Sequence, residues 1–108
     1  MMTEEIGLNK FLEKHGISAI ETDCAEHIIQ TAGNAPSHIV VPALHFDRIS
    51  IRDLYRERKG YTGSDDPEEI TRFLRTILRP EFMNASVGVT GCNFGVAETG
   101  SCTLVSNE

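Results

Sequence analysis

The residues best suited to chemistry lie near the C-terminus of the sequence, where glycines separate two apolar runs. The first run, 87–89, enters a glycine-rich stretch, and a second run of β-forming residues, 102–105, follows directly. Glycine permits positive φ and close approach of a ligand, so the pattern predicts a tight turn between two strands that rims a pocket. Backbone N–H groups at such a turn could bind a carboxylate or a phosphate. The predicted ligand-binding residues of this turn are Gly91, Asn93, Thr99 and Gly100.

The glycine spacing argues against one common use of such a turn. It does not match G-x-G-x-x-G and lacks the lysine of a P-loop, so it does not indicate a nucleotide or dinucleotide site. Glu98, beside Thr99 and Gly100, is the predicted catalytic residue, as a general base or as a nucleophile toward a thioester. Structural alternatives stay open. The small residues could serve tight strand–helix packing, and Glu98 with Thr99 could satisfy backbone groups at a helix end.

A second group of candidate residues is acidic and lies near histidines. Glu21 and Asp23 follow a predicted strand, and His45 follows another strand that ends at Pro42. Open α/β sheets bind ligands beyond the carboxyl ends of their strands, so Glu21, Asp23 and His45 are predicted to line a pocket. Carboxylates and imidazoles also bind divalent ions. However, no two histidines have ligand spacing on one element, so we predict no metal site.

Three cysteines, Cys24, Cys92 and Cys102, are an odd number without C-x-x-C spacing. This pattern fits reduced thiols and a cytoplasmic location. Cys92 stands at a possible helix N-terminus, which would stabilise its thiolate, and the alternative is a small buried thiol.

Composition limits the partners that the chain can have. The 108 residues carry a formal net charge of −6, which argues against nucleic-acid and anionic-membrane partners because these need clustered Lys and Arg. No apolar run approaches the roughly 20 residues of a membrane span.

The positioning elements follow from periodicity and capping signals. Thr3 is the predicted N-cap of a first helix that Gly16 ends, and Asp66 with Pro67 begins a helix that Pro80 ends, with about one further turn over 79–85. The order α-β-β-β-α-α-β-β predicts an α/β fold, a mixed sheet with helices on its faces. The predicted strands are 17–22, 26–31, 37–42, 87–89 and 102–105, and the middle helix is 48–59.

Three separated strings resemble one family. ETDCAEHIIQ (21–30), PSHIVVPALH (36–45) and VGVTGCNFGVAETG (87–100) are similar to the lactate-utilisation (LUD) domain of bacterial iron–sulfur proteins. The resemblance implies a fold like that of ribose-phosphate isomerase, glucosamine-phosphate deaminase and coenzyme A transferase, of which residues 1–108 would form one partial domain, its C-terminal portion.

The resemblance also implies a longer parent protein. Its four-iron–four-sulfur clusters would lie downstream, on closely spaced cysteines that this sequence lacks, so no cofactor is expected in the chain itself. The parent would oxidise L-lactate to pyruvate with other lactate-utilisation subunits.

Three hypotheses about function follow. In the first, the chain provides a scaffold or part of a ligand pocket in a lactate-oxidising protein and has no activity by itself. Alternatively, it is a small transferase- or isomerase-like enzyme that uses Glu98. The third hypothesis is a structural segment that docks on the rest of its domain or self-associates through an unpaired strand, 101–106.

Overall fold

The computed structural model describes residues 2–35, 37 and 41–105. Helices dominate this part of the chain, and one short hairpin closes it. The elements in chain order are α1 (Met2–Glu5), α2 (Leu8–Lys14), α3 (Cys24–Ala32), α4 (Arg48–Lys59), α5 (Pro67–Asn84), β1 (Phe94–Val96) and β2 (Ser101–Thr103).

Helices α4 and α5 confirm the predicted helix starts. The Asp47 side chain accepts a hydrogen bond from the Ser50 N–H and caps α4, and Asp66 caps α5 in the same way through the Glu69 N–H. Each carboxylate satisfies a backbone donor that has no partner within the helix. Gly60 ends α4 with φ 71°, a left-handed conformation that favours glycine.

The hydrophobic core forms where α3, α4 and α5 meet. Tyr55 of α4 is completely buried, and Phe73 of α5 packs its ring against the ring of Tyr55 with centroids 6.0 Å apart. Leu74 lies one position further along α5 and is 3% exposed. The buried members of the core are Ile28, Tyr55, Tyr61, Ile70, Leu74 and Leu78.

Tyr61 lies in the loop between α4 and α5, and its side chain is buried. The position of its ring requires a glycine at residue 63. A Cβ atom at Gly63 would collide with the Tyr61 ring and hydroxyl. The Tyr61 hydroxyl instead donates to the Ser64 carbonyl at 2.9 Å.

Helix α3 corrects the prediction of a strand over 26–31. The Asp23 side chain accepts from the N–H groups of Ala25 at 3.0 Å and Glu26 at 3.2 Å, which makes it the N-cap of a helix. Gly33 ends that helix with φ 69°. The adjacent isoleucines, Ile28 and Ile29, suggested a strand, but both are buried on α3 because tertiary packing overrides their modest β preference.

Two other helix boundaries also differ from prediction. Gly7, with φ 67°, separates α1 from α2, so Thr3 lies inside a helix instead of capping one. Pro80 does not end α5, since the further turn predicted there continues the same helix to Asn84. Pro80 is exposed, and its ring removes only one backbone donor near the helix end.

Two predicted strands are absent from the described residues. Segment 17–22 is extended without a ladder partner, and Ile17 and Ile20 are 52% and 41% exposed instead of buried. Segment 87–89 is likewise irregular and exposed. Most of the predicted strand over 37–42 lies outside the described residues.

The sheet is a two-stranded antiparallel hairpin in which Phe94 pairs with Thr103 and Val96 pairs with Ser101. The chain thus contains both helices and strands, but its helices pack mainly on one another, where the prediction had them covering a larger sheet. Strand β2 begins one residue before the predicted run 102–105 and ends at Thr103.

Candidate functional site

The C-terminal hairpin gathers four of the residues predicted to bind a ligand or to catalyse, and a fifth, Gly91, precedes it. Asn93 precedes β1, donates its N–H to the Thr103 carbonyl at 3.0 Å and accepts from the Val105 N–H through its side chain at 2.8 Å. It therefore extends the ladder beyond the paired strands. No helix begins near Asn93 in the part of the chain that the structure describes, which corrects that part of the prediction.

The turn of the hairpin has the tight geometry that its glycine predicted. Gly100 has φ 68° and donates its N–H to the Val96 carbonyl at 2.9 Å. The Thr99 hydroxyl donates to the Ser101 hydroxyl oxygen at 2.9 Å. Gly91 lies before the hairpin with open space around it, and Glu98 is exposed on the turn. Ligand binding and catalysis at these residues stay predictions.

Glu21 and Asp23 lie in the segment that leads into α3. The Glu21 side chain accepts from the Asn9 side-chain amide at 2.6 Å and ties α2 to this segment. Gln30 of α3 holds the same segment, because its amide donates to the Ala19 carbonyl at 2.7 Å and accepts from the Glu21 N–H at 3.0 Å. Asp23 caps α3, so both acidic side chains make structural hydrogen bonds, and their role in lining a pocket stays a prediction.

His45 and the cysteines are exposed. His45 lies on the turn after Pro42, and its ring packs against the ring of Phe46 with centroids 4.4 Å apart. Cys92 precedes β1 and is exposed, so neither the helix N-terminus nor the buried thiol predicted for it is observed. Cys24, at the start of α3, and Cys102 are also exposed.

A buried histidine–tyrosine pair joins α3 to α4. His27 Nδ1 lies 3.1 Å from the Tyr55 hydroxyl, and the two rings stack with centroids 5.9 Å apart. His27 is 4% exposed. Burial, together with the nearby positive charge of Lys59, lowers the pKa of His27 below its ordinary value. Burial raises the pKa of Tyr55 well above its ordinary value, which keeps this hydroxyl protonated.

His27 also lines a cleft of about 260 Å³ between α3, the segment before it and the ends of α4 and α5. Its walls combine apolar side chains with groups that can donate or accept hydrogen bonds. The lining residues are Ala19, Ile20, His27, Gln30, Thr31, Lys59, Ile77 and Glu81.

A sequence model of one family, the LUD domain, matches residues 5–108 of this chain. The chain belongs to the LUD domain family. Two similar relatives are named Lactate utilization protein B, from Bacillus thuringiensis (strain Al Hakam) and Bacillus cereus (strain B4264), and a third is Lactate utilization protein B 2 from Bacillus mycoides (strain KBAB4). Each is 54% identical over 108 residues.

This LUD sequence aligns along 100% of its length but spans only 23% of the length of those relatives. No solved structure matches it significantly. Within the residues that the structure describes, no helix is long and apolar enough to cross a membrane.

The thiols of this LUD segment do not fit an iron–sulfur cluster. Ligation of a four-iron–four-sulfur cluster takes four cysteine thiolates, and the sequence contains only three cysteines. Among the described residues, no group of three or more His, Cys, Asp or Glu side chains could hold a metal ion.

Sequence reasoning missed the polar residues that line the cleft of the LUD segment. It predicted no ligand-binding role for His27, Thr31 or Lys59. The missed signal is helical spacing, because His27 and Thr31 are four residues apart and share one face once 24–32 is read as a helix. Lys59 and Glu81 join them only through tertiary packing.

The buried His27 predicts a pH dependence of the stability of the LUD segment. The unfolded chain takes up a proton near the ordinary pKa of 6.5, whereas the folded chain takes it up at lower pH. Between these two values the unfolded state holds more protons, so the free energy of unfolding falls as pH falls. The contribution of neutral His27 is complete above pH 6.5 and is lost as pH drops toward the folded-state pKa.

Urea unfolding at a series of pH values measures this effect. We expect His27→Gln to flatten the dependence just below pH 6.5, whereas the exposed His45→Gln variant should keep it. Equal slopes in the wild type and His27→Gln would contradict the assignment.

Proposed function

We propose that this chain is a structural segment of a protein that serves lactate utilisation, in which it provides a helical scaffold for the rest of its LUD domain. The observation that carries the proposal is 54% identity along the whole chain to proteins named Lactate utilization protein B. The parent protein would oxidise L-lactate to pyruvate with partner subunits and would hold its four-iron–four-sulfur clusters outside this segment. The odd number of cysteines, without C-x-x-C spacing, favours a reducing, cytoplasmic location.

The exposed apolar side chains of the last quarter of the chain support docking onto the rest of the domain. Every described residue from 81 to 105 is exposed. Monomeric proteins rarely leave large contiguous apolar patches in water, and such patches mark interaction sites. We define this set as the apolar tail, which consists of Phe82, Met83, Val87, Val89, Phe94, Val96, Leu104 and Val105.

The hairpin within the apolar tail supports a proposal about the fold of the complete domain. Phe94 and Val96 lie on one face of β1 and are 65% and 43% exposed. A two-stranded hairpin is marginal by itself and gains stability when further strands or a helix cover it. We propose that β1 and β2 join a larger α/β sheet, like that of the isomerase, deaminase and transferase group, when the remaining domain is present.

A chimera tests the proposed function. The matching segment of Lactate utilization protein B from Bacillus cereus is replaced by this chain, and the chimera is expressed in a strain that lacks its own copy. We expect growth on L-lactate as the sole carbon source. The isolated chain should reduce no dye with L-lactate. A chimera that accumulates in soluble form at the parental level without supporting growth would overturn the proposal.

The same chimera tests the catalytic role predicted for Glu98. If Glu98 acts as a base or nucleophile, Glu98→Gln abolishes growth on L-lactate while the protein still accumulates. Glu57→Gln, on the exposed surface of α4, is the matched control. Normal growth of both variants would exclude a catalytic role for Glu98.

A further inference from the structure

Three arginines form a row on the exposed side of α5. Arg72, Arg75 and Arg79 follow one another at spacings of three and four residues, which place them on one face of the helix. All three side chains are exposed. Since each residue of an α-helix adds about 1.5 Å to its length, the row is roughly 10 Å long. We call these three residues the arginine row.

The arginines of α4 show the usual arrangement on a helix surface in water, in which charges of opposite sign lie side by side. Asp53 Oδ1 lies 2.8 Å from Arg52 Nη2 and 3.7 Å from Arg56 Nη1. Glu57 Oε1 lies 3.9 Å from Arg58 Nε. Such exposed pairs contribute little to stability, but they leave no strong charge of one sign on the helix.

The arginine row lacks this balance over most of its length. Only Arg72 has acidic neighbours at helical spacing, Glu68 and Glu69. Of these, Glu69 already accepts hydrogen bonds from the Ser64 N–H at 2.9 Å and from the Ser64 hydroxyl at 2.6 Å. The residues three and four positions from Arg75 and Arg79 include no acid. Within the part of the chain that the structure describes, no ion pair within 4.0 Å involves a member of the row.

The charge and the residue type of the row together indicate the chemistry of a partner. Like charges at these spacings lower the stability of a helix, so the row does not serve the fold of the chain by itself. All three positions hold arginine, whose planar guanidinium can form two parallel hydrogen bonds with one carboxylate. Arginine is also enriched at protein–protein interfaces, where lysine is depleted. The row therefore fits carboxylates that a protein partner presents at matching spacing.

The charge of the whole chain argues against the other anionic partners. Its net charge of −6 repels a nucleic acid or an anionic membrane at long range, and three guanidiniums on one helix offer few contacts to such polyanions. The row also differs from the apolar tail, which begins after it at Phe82. Permanent interfaces are mostly apolar, whereas charged surfaces serve partners that associate and separate.

We propose that the arginine row is the docking site for an acidic helix of a separate protein. Three carboxylates, spaced three and four residues apart along that helix, pair with the three guanidiniums of the row. Arg75 and Arg79 contribute more to this binding than Arg72, because Arg72 already has acidic neighbours on its own helix. The inference goes beyond the proposed scaffold role and does not rest on it, since the apolar tail would contact the rest of the parent domain.

Two synthetic peptides of equal composition test the proposal on the full chain of 108 residues. Both are alanine-rich helices with three glutamates. One peptide has the glutamates three and four residues apart on a single face, and the other has them spread around the helix. Each is titrated while the NMR amide signals of α5 are followed. We expect the first peptide to bind roughly tenfold more tightly at low salt, and this advantage to vanish near 1 M salt, where screening limits charge interactions to about 3 Å.

Variants with matched changes of charge locate the site. Arg75→Gln with Arg79→Gln should remove the preference for the first peptide. The control, Arg48→Gln with Arg58→Gln, lowers the charge equally at exposed positions of α4 and should keep the preference. Arg75→Glu with Arg79→Glu should instead prefer the same peptide with lysines in place of its glutamates. Urea unfolding checks the fold, and the glutamine variant of the row should be at least as stable as the wild type because it loses like-charge repulsion.

Several outcomes would overturn the proposal. They are equal affinity for the two peptides, an unchanged preference in the glutamine variant of the row, and no shift of the α5 signals in the titration. Tighter binding of double-stranded DNA or of phosphatidylserine vesicles than of the first peptide would also overturn it, in favour of a polyanionic partner. The chimera measures the scaffold role without any of these peptides, so the two proposals fail separately.

Discussion

Leu74→Ala is expected to lower the free energy of unfolding of the chain by about 2–5 kcal/mol. Leu74 is 3% exposed and belongs to the core that α5 forms with α3 and α4. Truncation removes buried methyl groups and leaves a cavity that rigid helices fill only partly. Since domains of this size are stable by about 5–15 kcal/mol, the loss would be a large part of the total. Urea unfolding followed by far-UV circular dichroism measures it.

Met83→Ala is the matched control on the same helix. Met83 is 67% exposed, so truncation creates no cavity, and alanine keeps the helix propensity. We expect its effect to stay within about 0.5 kcal/mol. Equal destabilisation by the two variants would mean that α5 does not bury the Leu74 face.

The second large effect is expected from polar substitutions in the apolar tail. Phe94→Thr with Val96→Thr keeps residues that favour strands but removes the apolar face of β1. In the chimera, we expect this double variant to abolish growth on L-lactate, because the face that the rest of the domain would cover is lost. In the isolated chain, urea unfolding of the helices should be unchanged, since every residue from 81 to 105 is exposed.

Sedimentation of the isolated chain shows whether the same face also pairs with a second copy. The double variant should self-associate less than the wild type, because exposed apolar strands pair with other strands. Leu44→Ser is the matched control, since Leu44 is 67% exposed but lies on the turn before α4. A double-variant chimera that grows normally, with normal abundance, would contradict docking through β1.

The residues of the predicted site differ in how well the sequence predicted their structural roles. The glycine pattern correctly predicted a tight turn, and Gly100 adopts the left-handed conformation that this turn needs. The predicted pocket residues Glu21 and Asp23 hold backbone and side-chain groups around α3, and ligand binding by them stays a prediction. Short polar side chains near helix starts often serve as caps, and a strand reading of 26–31 concealed that role.

The sequence by itself determined helices α4 and α5, because their signals are local. Asp66 caps α5 by accepting a hydrogen bond from a residue three positions later, and Pro67 follows it as the first residue of the helix. Gly60 ends α4 because glycine adopts the left-handed conformation there. The sequence also determined membership of the LUD family, because a family is recognised from the identity and order of its residues.

Only the tertiary structure decided the state of residues 24–32 and the cleft beside them. Two adjacent isoleucines fit a strand or a buried helix, and packing against α4 selects the helix. Lys59 and Glu81 are distant from His27 along the chain and meet it only after three helices have packed. Such proximity depends on the sum of many weak apolar contacts, which no local residue pattern specifies.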